Sequence, residues 1–259
     1  MPEWTAFAGF VGVVLAGLLF LARASADALT PAEPSVPETP TATEYPASLG
    51  DRVVGDERSG PARFSTPTLL VNVVVSQGLF ASLLLVGMWV AAVPPSALGL
   101  TADSLAPPAL VAGVGLGIAL HAVNAVGSRL SDRFGVGDAT ALREAMTPES
   151  ARGWAALLFV VLPLVAGFEE LLFRGILIGA FTTGFGVSPW LLAALSSVAF
   201  ALGHGAQGRV GIVVTGTLGF VLAVAFVLTG SLVTVVVAHY LVNALEFVVN
   251  ERWGRYSSD

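Results

Sequence analysis

Seven stretches of this chain read as membrane spans: Trp4–Leu21, Thr68–Val93, Pro107–Val126, Gly153–Phe181, Pro189–Gly203, Val210–Leu228 and Ser231–Val249. A hydrocarbon core about 30 Å thick takes roughly 20 apolar residues per helix. In lipid, each backbone polar group needs a partner inside the protein, and long apolar runs meet that demand as helices. The expected fold class is therefore all-α, a polytopic transmembrane helical bundle of about seven spans. The fifth span is short. The fourth is too long for an upright helix, so it must tilt, or bend at Pro163 or Gly167. Composition agrees: 55% of residues are hydrophobic and 12% charged, about half the charge of a soluble domain.

All 12 basic residues are arginines, and their placement orients the bundle. Arg23, Arg52, Arg58 and Arg63 lie between spans one and two, and Arg129, Arg133, Arg143 and Arg152 between three and four. Arg209 lies between five and six, and Arg252 and Arg255 follow span seven. The alternate connections carry none. Cytoplasmic loops collect arginine, which puts the N-terminus outside and the C-terminus in the cytoplasm of a multi-pass cell membrane protein. Ala24-Ser25-Ala26 looks like a signal-peptide cleavage site, but the chain opens on the acidic Met1-Pro2-Glu3-Trp4 where a signal peptide starts with a basic region, so the first span is read as a retained anchor. The net charge of −6 offers no basic stripe for phosphates, so nucleic acid is not an expected partner.

The expected domains follow. Residues 1–22 form an N-terminal anchor. Residues 23–66, rich in Pro, Ser, Thr, Asp and Glu, read as a flexible cytoplasmic linker. Residues 67–250 form the helical domain, and 251–259 a short cytoplasmic tail. The polar stretch 129–152 is expected to hold a short helix on the membrane surface. There is no cysteine, which removes disulfides and thiolate metal sites.

Against this background the segment VAGFEELLFRG, Val165–Gly175, stands out. Each charge near a bilayer centre costs at least about 2.5–3.5 kcal/mol on insertion scales. Glu170 and Arg174, four apart, share a helix face and can pair. Glu169 is turned about 100° away and lacks that local partner. The simplest reading makes Glu170–Arg174 structural and leaves Glu169 for chemistry, with a buried ion pair that fixes packing as the bland alternative. His204 ends the fifth span, and His239 and Asn243 share a face of the seventh. Each needs a partner across the bundle, and together they can converge on the glutamates. His121 and Asn124, three apart on span three, are read as a helix bridge. Glu246, on the His239 face near the cytoplasmic end, is read as an interfacial anchor, with a supporting role behind the His239 site as the alternative.

EELLFR fits Glu-Glu-x-x-x-Arg, FALGH fits Phe-x-x-x-His, and HYLVN fits His-x-x-x-Asn. In this order on successive membrane helices, they resemble the CPBP family of type 2 CAAX prenyl proteases and bacteriocin-processing or immunity proteins. The resemblance spans about residues 150–250 and implies an intramembrane endopeptidase. Carried over, Glu169 would be the general base that activates a water, with His204 assisting. His239 and Asn243 would stabilise the oxyanion, and Arg174 would hold Glu170. The implied partner is a membrane-embedded or lipid-anchored peptide or protein in the bilayer. No cofactor is certain. A divalent metal such as zinc on Glu169, His204 and His239 is an alternative, though His-Glu-x-x-His is absent and one glutamate cannot readily be both ligand and base.

Two other classes stand beside the protease: a membrane scaffold or immunity protein, and a proton-coupled carrier. A carrier is disfavoured because no second half mirrors FEELLFR. One tension is visible at this stage. Glu169 lies about 24 Å along span four from its cytoplasmic start, whereas His204 is near the cytoplasmic end of span five.

Overall fold

A computed structural model describes residues 1–29, 65–133, 140–205 and 208–249. Most of the expected linker, the tail, and Arg52, Arg58, Arg63, Arg252 and Arg255 lie outside the described residues. Besides two short 3-10 turns, eight helices follow in order among the described residues: α1 (Trp4–Leu29), α2 (Thr66–Val90), α3 (Pro107–Arg133), α4 (Thr140–Met146), α5 (Ala151–Phe185), α6 (Pro189–Gly203), α7 (Gly208–Thr229) and α8 (Leu232–Glu246). There is no strand among the described residues. Six of the helices are long and apolar enough to cross a membrane, and α6 is a shorter apolar helix. The bundle is a polytopic helical one, as the apolar runs require.

Local chemistry explains the boundaries. Ser65 caps α2 by accepting from the Thr68 N–H, with Pro67 in the first turn, where its missing N–H costs nothing. Ser231 caps α8 in the same way through Thr234. Pro189 opens α6 and Gly203, His204 and Gly205 end it. α1 continues to Leu29, past the expected start of the linker at residue 23, because Ala-rich sequence propagates a helix well.

The N-terminal span is not merely appended. Phe7, Val11 and Val14 are buried in the main hydrophobic cluster with Leu84, Met88, Phe168, Leu172 and Phe200. Gly87 of α2 abuts the ring of Phe10, and Gly184 of α5 abuts Trp4. The Glu3 N–H donates to Ala91 O at 2.9 Å. α1 is thus a packed member of the bundle rather than a separate anchor. On the outside, Leu191, Leu195, Val198 and Leu202 form an exposed stripe at helical spacing along α6, the pattern of a lipid-facing surface.

α5 is one continuous helix interrupted by two π-helical segments, Leu157–Val161 and Leu171–Ala180. The first lies just before Pro163, whose ring displaces the carbonyl one turn back and which has no N–H to give. The Leu162 N–H reaches Leu157 O instead, so the expected irregularity at Pro163 takes the form of a π turn. The second carries Arg174 beside the glutamates.

α3 is the closest partner of α8. A Cβ on Gly113 would lie 2.7 Å from Thr234 O, and one on Gly117 would lie 2.9 Å from Ala238 O. This small-xxx-small contact brings two backbones together beside His239. At the far end of the same pair, Glu246 is buried rather than reaching water as an interfacial anchor. Its Oε1 accepts from His121 Nδ1 at 3.1 Å and Asn124 Nδ2 at 2.7 Å, and its Oε2 accepts from Arg143 Nη1 at 3.2 Å. His121 and Asn124 bridge helices, and the clasp also ties in α4. Glu246→Ala strands several donors at once, and each buried polar group left unmatched costs about 1–3 kcal/mol. A lower melting temperature in detergent is the expected result; an unchanged one would contradict the clasp.

Candidate active site

Glu169 and Glu170 lie in the middle of α5, buried. Glu169 is about 24 Å back from Phe185, and His204 about 22 Å beyond Pro189, at 1.5 Å per residue. The two helices meet at the tight Gly186 turn, where φ is +66°. Measured from that hairpin both groups sit at one depth. α6 is short and ends inside the bundle, which removes the tension between their apparent depths.

The Glu169 carboxylate lies between two imidazoles. His204 Nε2 is 3.9 Å from its Oε1, and His239 Nε2 is 3.7 Å from its Oε2. Both exceed direct hydrogen-bond length, and separations of this size leave room for a bridging water. Glu170 is held tightly by contrast. Its Oε1 accepts from Arg174 Nη1 at 2.8 Å and from His239 Nδ1 at 2.7 Å. Arg174 Nη2 donates to Gly219 O at 2.7 Å, and the guanidinium lies 4.7 Å from the centre of the Phe200 ring. Both members of this ion pair are fully buried. Glu170 Oε2 and Arg174 Nε find no partner among the described residues.

The acceptors fix which ring nitrogens carry hydrogen. His204 Nδ1 donates to Phe200 O at 2.8 Å, since a carbonyl can only accept. In a neutral His204 ring, Nε2 is then an acceptor facing Glu169. His239 donates Nδ1–H to Glu170 in the same way. Its Nε2 faces Glu169 and carries hydrogen only in the imidazolium form.

The bundle thus brings together Glu169, Glu170, Arg174, His204 and His239, from α5, α6 and α8. Asn243, one turn beyond His239, is half-buried and makes no side-chain hydrogen bond to the described residues. No group of three or more His, Asp or Glu among the described residues is arranged to hold a metal ion, so the metal alternative gains no geometric support. Sequence reasoning missed Gly219, Arg143 and the central place of the Phe200 ring. A buried glycine in an apolar helix carries no chemical signal, and Phe200 entered only as a motif letter.

All three motifs lie within one recognised segment. Residues 151–245 match the Rce1-like family, described as type II CAAX prenyl endopeptidase. The resemblance read from the motifs is borne out over that segment. No curated protein and no solved structure matches the chain. The Rce1-like segment runs from the start of α5 to within one residue of the end of α8. It therefore contains the three site helices, while α1–α4 lie outside it. The match covers less than half of the chain and is a likeness to a protease family.

Proposed function

We propose that this protein is an intramembrane endopeptidase that hydrolyses a peptide bond in a lipid-anchored or membrane-embedded substrate. A C-terminal peptide of the CAAX type is the first candidate. The observation that carries the reading is the placement of Glu169 between His204 Nε2 and His239 Nε2. A water held there gives one proton to Glu169 while its other O–H stays intact and donates a hydrogen bond to His204 Nε2, which aims its oxygen at a substrate carbonyl. The C–O bond forms, the carbonyl becomes an oxyanion, and Glu169 returns its proton to the leaving nitrogen as the C–N bond breaks.

Charge balance assigns the remaining roles. Two glutamates face one arginine, and an imidazolium at His239, between both carboxylates, makes the set of four neutral. That ring offers Nε2–H to the oxyanion, and the amide of Asn243, which has no partner among the described residues, is the second donor. Arg174 holds Glu170, and Glu170 orients His239. The protein sits in the cell membrane with its N-terminus outside, on the arginine distribution.

The test is hydrolysis of membrane-anchored peptides, prenylated and not, by protein reconstituted in liposomes, with products read by mass spectrometry. Wild type cleaves, and prenylation dependence identifies the CAAX class. Asn243→Ala lowers kcat about 10²–10³-fold with little change in KM, the size of a lost oxyanion donor. No cleavage of any peptide by wild type would sink the proposal.

A further inference from the structure

Among the described residues α7 gives the site no ionisable side chain, yet it forms one of its walls. Gly219 is buried in α7, and its carbonyl accepts from Arg174 Nη2 at 2.7 Å. A Cβ at this position would lie 2.7 Å from Phe200 Cδ1, and 3.3 Å from both Phe200 Cε1 and Arg174 Nη2. Carbons do not approach to 2.7 Å without bonding, so the Phe200 ring would have to move.

That ring has little room to move. Phe173 packs edge-on against it at 5.0 Å between centres. The Arg174 guanidinium carbon is 4.7 Å from its centre. The His204 ring is 4.5 Å away and the His239 ring 6.1 Å. Phe200 itself is almost wholly buried, and its own carbonyl holds His204 Nδ1. A push from the α7 side therefore passes to His204, His239 or Arg174, because close-packed interiors transmit displacement rather than absorb it. Gly216, one turn earlier in α7, would meet only the side chain of Ala201, at 3.1 Å. The contact with site residues belongs to Gly219.

We infer that Gly219 is a positioning residue: its missing side chain seats the Phe200 ring, and through that ring sets both histidines and Arg174. The activity part of this inference rests on the proposed endopeptidase reading; the geometric part does not.

The test uses the full chain in detergent micelles, with Gly219→Ala, Phe200→Leu and the double variant. The chain has three histidines, so ¹⁵N-histidine NMR resolves three rings. In Gly219→Ala the His204 and His239 signals shift and those of His121 stay. kcat on a membrane-anchored peptide falls about tenfold to a hundredfold, the cost of roughly 1 Å of misplacement, and KM changes less than about twofold. Removing the ring removes the clash, so Gly219→Ala adds little in the Phe200→Leu background, and the two changes are non-additive. Unmoved His204 and His239 signals in folded Gly219→Ala would overturn the inference, as would additive losses. If Gly219→Ala does not fold, a folded double variant supports steric action through Phe200, and an unfolded one refutes it. Should wild type cleave nothing, the endopeptidase reading fails while the ring signals still decide the role of Gly219.

Discussion

Glu169→Gln abolishes peptide hydrolysis while the bundle stays folded. The expected loss in kcat is about 10²–10⁴-fold, the range for a general base. The substitution preserves shape and removes only the capacity to take a proton. Stability is little changed because Glu169 makes no direct hydrogen bond to the described residues: its nearest imidazole nitrogens are 3.7 and 3.9 Å away. Losing this charge also leaves Glu170 paired with Arg174. The measurement is a cleavage rate in liposomes beside a melting temperature in detergent. Equal cleavage by both proteins would remove Glu169 from the mechanism. A collapse of the melting temperature would make Glu169 structural.

The fold was legible where lipid physics is strict. α6 begins and ends where Pro189 and Gly203 say it should, since a proline favours the first turn and glycine the end. α5 was legible as too long, and its π turn before Pro163 follows from a missing donor. The membership of α1 in the core was not legible. A helix among lipids is apolar on every side, so hydrophobicity does not say which face meets protein. Gly87 against Phe10 and Gly184 against Trp4 are recognisable as a docking face only once the partners are known. The depth of the site was not legible for a related reason. Distances along α5 and α6 were counted from the arginine-rich ends, whereas the two helices share a reference at Gly186.

In the site, the charged groups were legible because each is costly in the membrane and must be answered by another. Spacing gave Glu170–Arg174, and the order of motifs pointed to His204 and His239. The division of labour was only partly legible. That His239 bonds Glu170 through Nδ1 and turns Nε2 to Glu169 depends on how α8 is rolled against α5, and Gly113 and Gly117 of α3 help to set that roll. Glu246 looked like a solvent-seeking anchor from its place near a helix end. The three donors that bury it come from α3 and α4, more than 100 positions away in the chain.

Arg174→Ala gives the largest loss of stability of any change in the site. Its side chain and that of Glu170 are all but inaccessible, and removing one partner of a buried pair costs about 3–5 kcal/mol because the other charge is stranded. Here the stranded carboxylate also holds His239 at 2.7 Å, so cleavage disappears together with stability. Arg174→Lys recovers only part. One ammonium on a flexible stem does not reproduce a planar fork that serves Glu170 Oε1 and Gly219 O in different directions while stacking on Phe200. The double change Glu170→Gln with Arg174→Met separates the two effects. It removes both charges and fills most of the volume, so most of the melting temperature returns. Activity stays low, because His239 Nδ1–H no longer donates to a carboxylate that orients the ring. Melting in detergent and peptide cleavage, measured on all three variants, check this. If Arg174→Ala melts like wild type, the pair does not hold the bundle. If the double variant regains cleavage along with stability, Glu170 serves only to neutralise Arg174, and His239 is oriented by the packing of α8 against α3 alone.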